Sequence, residues 1–257
     1  MSGRNGNPEI YVMNASGTSV RRLTHNPRFD GFPRWSPNGK LILFYSQRAG
    51  GGGIRIMNAN GSGQRDLTPS PSHNGLGSWS PDGTKIVFDS NRAGPNDQLY
   101  VMNADGSGVQ RLTQDPARDH NAAWSPDGQS IAFTTNRDRG NSEIYFIDAD
   151  GSNPRDLTQN LAADDDAAWS PDGKLIAFDR RQRGQTAVYV MNADGSDQRK
   201  LATGMQPAWS PDGRKIVYTS IAKPRHAPDL FVMNADGSGK RKLMTAGNSA
   251  AWSPTPH

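Results

Sequence analysis

The chain contains no cysteine among its 257 residues. Disulfide frameworks, thiolate metal sites and cysteine nucleophiles are therefore excluded. It also lacks a run of 18 apolar residues, so no segment is expected to insert into a membrane. No apolar stretch follows a basic start at the N-terminus, and a secretory signal peptide is therefore not recognised in this sequence.

Neither positive nor negative charge is concentrated in any one segment of the chain. The 29 Lys+Arg and 25 Asp+Glu residues give a formal net charge of +4, and the basic residues are scattered. Aromatic residues make up 8% of the chain and are not interleaved with basic ones as they are on single-strand-binding platforms. We therefore expect no nucleic-acid partner.

A repeated Trp-Ser-Pro tripeptide divides the chain into units. The tripeptide recurs at spacings of 44, 45, 45, 40 and 43 residues. A period of about 40 to 50 residues is typical of propellers and solenoids. The six anchors are Trp35, Trp79, Trp124, Trp169, Trp209 and Trp252.

Each complete unit predicts four β-strands. After the tripeptide come Asp-Gly or Asn-Gly, which favour a tight two-residue hairpin, and an apolar run that ends in an aromatic residue, such as SIAF. An alternating segment such as IYFID, a turn close to NADGS and a short strand ending in Leu-Thr follow. We predict an all-β fold, a six-bladed β-propeller of four-stranded antiparallel blades, with residues 1–257 as a single domain. A linear β-solenoid is the alternative.

The sixth blade is predicted to be shared between the two ends of the chain. Residues 9–14 and 20–24 supply two outer strands, and the final AAWSPTPH supplies the innermost one. Because residues 2–4 align with residues 46–48, only the tail of the second strand is present, and this blade lacks one strand. It is either gapped, completed by a neighbouring molecule, or part of a longer protein, which is the explanation we favour from the sequence. We expect a monomer unless a neighbour supplies the strand.

Strand direction places the turns that repeat from unit to unit at one end of the blades. The loops that vary between units lie at the other end, here called the top face. Varied loops on a repeated scaffold are where binding residues concentrate. Polar residues that converge on the mouth of the central channel are predicted to bind a partner: His73, Asn74, His120, Asn121, Asp165, Asp166, Gln206 and Asn248.

Three carboxylates five residues before their Trp anchors are the predicted metal ligands: Asp30, Asp119 and Asp164. A hard cation, most suitably Ca²⁺, takes six to eight oxygen ligands and tolerates water in the remainder. The alternative is that these carboxylates cap turns or pair with nearby arginines. His73 and His120 leave open a transition-metal site.

The repeated pattern AWSPDG..IAF.....R......IYVMNADGS....LT resembles that of the TolB-type propellers, also called PD40 or WD40-like repeats, over essentially the whole chain. This resemblance implies a non-enzymatic propeller with calcium in its channel, whose top face receives an extended segment of a protein or peptide partner. It also implies a periplasmic or extracellular location. Similar repeats imply two alternatives, a metal-dependent lyase of oligogalacturonate-lyase type and a substrate-gating propeller of a larger hydrolase.

Overall fold

The computed structural model describes residues 7–48, 51–69, 72–138, 140–221 and 227–254. These residues form 22 strands, and among them no helix is long and apolar enough to cross a bilayer. The residues aligned above with the tail of the missing strand, 2–4, lie outside the described part of the chain.

The strands alternate along the chain with short turns. The N-terminal pair is β1 (Tyr11–Val12) and β2 (Arg21–Arg22). The next three sheets contain β3 (Asp30–Trp35), β4 (Leu41–Arg48), β5 (Gly51–Asn58), β6 (Arg65–Asp66), β7 (Ser78–Trp79), β8 (Lys85–Ser90), β9 (Gln98–Asn103), β10 (Gln110–Arg111), β11 (Asp119–Trp124), β12 (Ser130–Thr135), β13 (Glu143–Asp148) and β14 (Arg155–Asp156). The last two contain β15 (Ala163–Trp169), β16 (Leu175–Gln182), β17 (Gln185–Asn192), β18 (Arg199–Thr203), β19 (Met205–Trp209), β20 (Lys215–Thr219), β21 (Leu230–Asn234) and β22 (Arg241–Met244).

Five of the sheets have four strands each, in sequential antiparallel order, and β1 pairs with β2 in a separate two-stranded sheet. The predicted propeller of four-stranded blades is confirmed. The two-stranded sheet lies where the outer half of the sixth blade was expected, and the described residues include no second strand for that blade.

The second strand of each blade is the centre of the core. In β12 the residues Ile131, Ala132 and Phe133 are fully buried. Ile131 and Phe133 pack with Val87 of the preceding blade, whereas Ala132 packs with Ile176 of the following blade. Because successive side chains point to opposite faces of a strand, one apolar triplet joins two blades.

The tryptophan anchors also connect neighbouring blades. The indole Nε1–H of Trp169 donates to the carbonyl of Ala123 at 3.3 Å, and that of Trp209 donates to Ala168 at 3.1 Å. Trp252 repeats the bond to Ala208 at 3.2 Å. These three indoles thus satisfy their donors while their rings fill the space between blades, whereas Nε1 of Trp79 and of Trp124 is buried without a partner in the described structure.

The Asp-Gly turns differ from the tight two-residue hairpins that were predicted. The amide of Ser80 donates to the carbonyl of Lys85 at 2.9 Å, which leaves four residues in the loop. Asp82 accepts hydrogen bonds from the Ser80 hydroxyl at 2.6 Å and from the Thr84 amide at 3.0 Å, and Gly83 has a φ of 71°. The prediction was wrong because the Ser and Asp side chains stabilise a longer turn.

The ring closes through a contact that every junction repeats. A Cβ added to Gly151 would lie 2.6 Å from the carbonyl oxygen of Leu112 in the preceding blade. Gly17 makes the same close approach to Leu243 of the fifth blade, at 2.5 Å, and Gly61 of the first blade approaches Leu23, at 2.9 Å. The β1–β2 sheet therefore packs between the fifth and first blades, as the shared sixth blade requires.

Candidate functional site

The three predicted metal ligands lie at equivalent positions of their blades and are fully buried. Arg180 donates to both carboxylate oxygens of Asp164 at 2.7 Å, and Arg137 donates to both oxygens of Asp119 at 3.2 Å. Asp30 accepts from the Asn26 side chain at 3.0 Å and from the Ser46 hydroxyl at 2.5 Å. Each of the three carboxylates is thus bound by side chains of its own blade or of the segment that leads into that blade.

The arginines of these pairs are held in turn by aromatic rings. The guanidinium carbon of Arg180 lies 5.3 Å from the Phe178 ring centre and 4.8 Å from that of Tyr189. Arg137 stacks in the same way on Phe133 and Tyr145. Buried acid, arginine and aromatic rings form a column inside the third and fourth blades, which matches the arginine-pairing alternative in the sequence analysis for Asp119 and Asp164.

The described residues contain one group of three candidate metal ligands whose atoms lie within 4.8 Å of one another, namely His73, Asp89 and Asp97. Asp30, Asp119 and Asp164 do not form such a group, and neither do His73 and His120. The structure therefore does not bring the three predicted metal ligands together.

Irregular backbone in the innermost strands directs a different set of side chains toward the channel. Pairing of the innermost strand with the second strand shifts register in four blades, through a β-bulge. The residue three before the Trp anchor has a φ between 49° and 55° in five blades. We call these five residues the channel ring: Phe32, Asn121, Asp166, Gln206 and Ser249.

Positive φ in a non-glycine residue costs roughly 1–3 kcal/mol and persists only where the surroundings hold it in place. In the channel ring, carboxylates and hydroxyls on the second strand of the preceding blade provide this support. Asp89 accepts the backbone amide of Asn121, and Asp179 accepts that of Gln206. The Ser249 amide donates to the hydroxyl of Thr219 at 3.2 Å.

The ring side chains also bond to one another. The Asn121 amide donates to Asp165 at 2.8 Å and to Asp166 at 3.0 Å. The Ser249 hydroxyl donates to the Gln206 carbonyl oxygen at 2.8 Å. These bonds join the third blade to the fourth and the fifth blade to the sixth at the channel.

Negative charge accumulates on one side of this surface. Burial, and then repulsion from Asp165, raises the pKa of Asp166 above its usual range. Burial and the charges of Asp166 and Asp165 raise the pKa of Asp179 well above its usual range. Burial opposes ionisation of Asp165 as well, but the interaction with His120 and hydrogen bonds from Thr134 and Asn121 lower its pKa. Three acids of one blade thus share a region in which ionisation of one raises the cost of ionising the next.

Asp89 lies behind the ring in the second blade. It is 3% exposed, and its Oδ1 has no hydrogen-bond partner within the described structure; the same holds for Oδ1 of Asp179. Burial, and then the charge of Asp97, raises the pKa of Asp89 to about 6. Two carboxylates, each with one buried oxygen that has no hydrogen-bond partner within the described structure, therefore lie behind the channel ring.

Positive groups in this region are few. Arg34, directly before the first Trp anchor, interacts with the charge of Asp166. Burial opposes the charged form of His120, yet the nearby Asp165 carboxylate, with Oδ2 3.6 Å from Nε2, raises the pKa of this histidine. His73 lies at the rim, 41% exposed, with Nδ1 3.3 Å from Asp97.

The channel ring accounts for three of the predicted binding residues and adds two that the sequence analysis missed. Asn121, Asp166 and Gln206 are ring members, whereas Phe32 and Ser249 were not anticipated. Asp165 and His120 lie beside the ring as a bonded pair. Asn74 instead accepts from Arg92 at 2.7 Å, and is part of the second blade's arginine column; Asn248 directly precedes Ser249. The sequence signal for the channel ring is the third position before each Trp. The residue type at this position varies from unit to unit, whereas the flanking sequence repeats.

Comparison with known proteins agrees with this architecture. The profile of the PD40 family, described as the TolB beta propeller domain, matches residues 1–76 and 67–256. A 44-residue stretch is 43% identical to the Tol-Pal system protein TolB of Bordetella pertussis, covering 17% of this chain and 10% of that protein.

Solved structures show the same fold. TolB from Acinetobacter baumannii matches with a TM-score of 0.86 at 24% identity, over 96% of this chain and 63% of that one. An oligogalacturonate lyase from Vibrio parahaemolyticus matches less closely, with a TM-score of 0.64 at 16% identity, over 95% of this chain and 73% of that one. The chain thus spans less than two thirds of both TolB proteins. Since the family profile covers nearly all of its residues, this chain belongs to the PD40 family of TolB beta-propeller domains.

Proposed function

We propose that this propeller is a non-enzymatic binding module whose channel ring receives an extended, positively charged segment of a partner protein. The observation that carries the proposal is the excess of acid at the channel, where four acids, Asp89, Asp165, Asp166 and Asp179, interact with three basic groups, Arg34, His73 and His120. A cationic group would favour the ionised form of three of these acids, whose pKa values are raised first by burial and then by repulsion from neighbouring carboxylates.

A peptide fits this surface better than a small molecule. The ring offers amide, hydroxyl and carboxylate groups spaced around the channel from successive blades, which suits the alternating polar groups of an extended backbone. The Bordetella relative is named as a Tol-Pal system protein, and we extend to this chain the general role of binding another protein.

The test uses a fluorescein-labelled peptide of four Gly-Ser-Lys repeats and a matched peptide of four Gly-Ser-Glu repeats. Fluorescence anisotropy should show binding of the lysine peptide alone, and the affinity should fall as salt is raised, because opposite charges are screened. Replacing both Asp165 and Asp166 by Asn should weaken binding at least tenfold.

The matched control is Asp150→Asn, which removes one exposed acid from a turn at the opposite end of the blades. Its binding should equal that of the unmodified protein. Equal affinity for the two peptides, or undiminished binding by the Asp165→Asn/Asp166→Asn protein, would refute the assignment of the channel as the binding site.

Calcium stays part of the proposal, without an assigned set of ligands. The carboxylates of Asp30, Asp119 and Asp164 are taken up by side-chain donors, which leaves them unsuited to a shared ion. Within the described part of the chain, Asp165, Asp166 and Asp179 do not form a group of three ligand atoms within 4.8 Å of one another either. We propose that the acids at the channel attract Ca²⁺, which takes oxygen ligands and tolerates water in the remainder.

Thermal unfolding after EDTA treatment, followed by graded Ca²⁺, Mg²⁺ and Mn²⁺, tests the ion separately from the peptide. Ca²⁺ at a hundredfold excess over its dissociation constant stabilises the folded state by about 2.7 kcal/mol. The Asp165→Asn/Asp166→Asn protein should show a smaller response. No shift with any ion would remove calcium from the proposal and leave peptide binding to stand on its own test.

The lyase alternative has one observation in its favour, the cluster of His73, Asp89 and Asp97. This cluster contains one histidine, and His120 is bonded to Asp165 instead. Incubation with oligogalacturonate and Mn²⁺ should give no unsaturated product by ultraviolet absorbance. Product that disappears in the His73→Ala protein would establish the lyase in place of the binding module.

A further inference from the structure

Three side chains of the second blade converge beside the channel ring. His73 lies in the segment before β7, Asp89 lies within β8, and Asp97 directly precedes β9. One nitrogen or carboxylate oxygen of each lies within 4.8 Å of those of the other two. We call these three residues the blade-two triad.

The backbone that carries the triad is fixed by hydrogen bonds. The His73 amide donates to the side-chain oxygen of Asn91 at 3.0 Å, and its carbonyl accepts from the Ser90 hydroxyl at 3.0 Å. The carbonyl of Asp97 accepts from the Asp119 amide at 2.9 Å. The third triad residue is paired within strand β8. Little conformational freedom is therefore lost when these side chains bind one ligand.

The separation of two triad atoms suits a shared metal ion. Nδ1 of His73 lies 3.3 Å from Oδ1 of Asp97. Two atoms bound at about 2.0–2.1 Å to one tetrahedral Zn²⁺ lie about 3.3 Å apart. Arg118 donates from Nε to the other oxygen of Asp97, Oδ2, at 2.9 Å. This bond orients the carboxylate, as groups behind the ligands of a metal site do.

Asp89 supplies an independent observation, which an ion pair between His73 and Asp97 does not explain. The residue is 3% exposed, and its Oδ1 is buried with no hydrogen-bond partner in the part of the chain that the structure describes. Gly75 leaves room for this carboxylate, since a Cβ at that position would overlap it. An unpartnered buried oxygen is costly, and a cation bound by the triad would satisfy it.

The repeated fold does not require these residue types. The equivalent positions carry Arg118, Thr134 and Ser142 in the third blade, and Ala163, Asp179 and Thr186 in the fourth. Both blades nevertheless form complete four-stranded sheets. The combination of one imidazole and two carboxylates is therefore a property of the second blade and not a packing requirement of the repeat.

We propose that the blade-two triad binds a divalent transition-metal cation, most suitably Zn²⁺, through Nδ1 of His73 and one carboxylate oxygen each of Asp89 and Asp97. Three protein ligands leave a fourth position to water. An imidazole ligand distinguishes this site from a calcium site, which takes oxygen ligands. The His73 side chain is 41% exposed, so the ion can enter from the rim of the channel.

This inference is separate from the function proposed for the channel. It assigns no reaction to the ion, and it holds whether or not the channel ring binds a peptide. The Asp165→Asn/Asp166→Asn protein, which tests the channel, should keep its Zn²⁺ site. Failure of one proposal is therefore distinguishable from failure of the other.

Isothermal titration calorimetry of the untagged protein, freed of metal with EDTA and then of EDTA, tests the site with ZnCl₂. We expect one Zn²⁺ per chain, bound more tightly than Mn²⁺. His73→Ala and Asp89→Asn should each weaken binding by more than roughly a hundredfold, the upper range for loss of a group behind the ligands. Thermal unfolding in EDTA checks that both variants fold.

The matched control is His25→Ala, which removes an exposed histidine from the segment before the first blade. Its affinity for Zn²⁺ should equal that of the unmodified protein. Nitrogen-15 NMR of the histidine side chains then identifies the ligand atom in the unmodified protein. Zn²⁺ should shift the Nδ1 resonance of one histidine, and this resonance should be missing from the spectrum of the His73→Ala protein.

Any of four outcomes would overturn the proposal. They are the absence of a one-to-one Zn²⁺ complex, undiminished binding by the His73→Ala or Asp89→Asn protein, coordination of His73 through Nε2, and loss of Zn²⁺ binding in the Asp165→Asn/Asp166→Asn protein. The last result would place the ion among the acids of the channel instead of at the blade-two triad.

Discussion

Replacement of Asp89 by Asn should stabilise the protein at neutral pH, although it removes a charged group that accepts a hydrogen bond. The carboxylate is 3% exposed, one oxygen has no partner within the described structure, and its pKa is raised to about 6 from an ordinary 3.8. Burial is the main cause. An Asn side chain keeps an oxygen for the Asn121 amide while it removes the buried charge.

The sign and size follow from proton linkage. Between pH 3.8 and about 6 the folded protein binds more protons at Asp89 than the unfolded chain does. The stability contribution of this group is therefore fully present below pH 3.8 and lost as pH rises through about 6. At 1.36 kcal/mol for each pH unit between the two pKa values, the loss is about 3 kcal/mol.

Chemical denaturation in EDTA, from pH 3.5 to 8, measures this difference. The Asp89→Asn protein should equal the unmodified protein at the acid end and exceed it by up to about 3 kcal/mol above pH 7. Asp197→Asn, at an exposed turn, is the control and should follow the unmodified protein. An Asp89→Asn protein that is less stable at pH 7, or that shows the same pH dependence as the unmodified protein, would refute the argument.

Three further predictions use the packing of the blades. Arg180→Met leaves Asp164 buried and unpaired, so urea denaturation should show a loss of about 3–5 kcal/mol, which the additional change Asp164→Asn should largely restore. Gly151→Ala should destabilise by more than the roughly 1–2 kcal/mol of its left-handed φ, because the new methyl meets the Leu112 carbonyl. Gly140→Ala, where φ is 74° and nothing lies within 4 Å, should lose the conformational part alone, and equal losses at the two glycines would contradict the contact.

The fold could be predicted because its signals are local and repeated. Turn residues, apolar triplets and Trp anchors recur in every unit, and each one favours the same strand order. The length of the Asp-Gly turn was not predicted, since it depends on hydrogen bonds between the side chains of Ser80 and Asp82. Sequence periodicity does not report such bonds.

The candidate site was predicted only in part. The position five before each Trp was predicted to bind a metal because it is rich in carboxylates. Asp119 and Asp164 are instead paired with Arg137 and Arg180, which come later in the same blade. Asn121, Asp166 and Gln206 reach the channel through a β-bulge, whose backbone conformation single-sequence patterns do not reveal. Phe32 and Ser249 were missed for the same reason.

The shared sixth blade has a mechanical consequence. The first and last described segments of the chain meet in one blade, where β1–β2 contacts its neighbours through Gly17 and Leu23. A force that pulls the two ends apart acts on this blade before it reaches any of the five complete sheets. The ring can therefore be opened at this junction while every four-stranded blade stays intact.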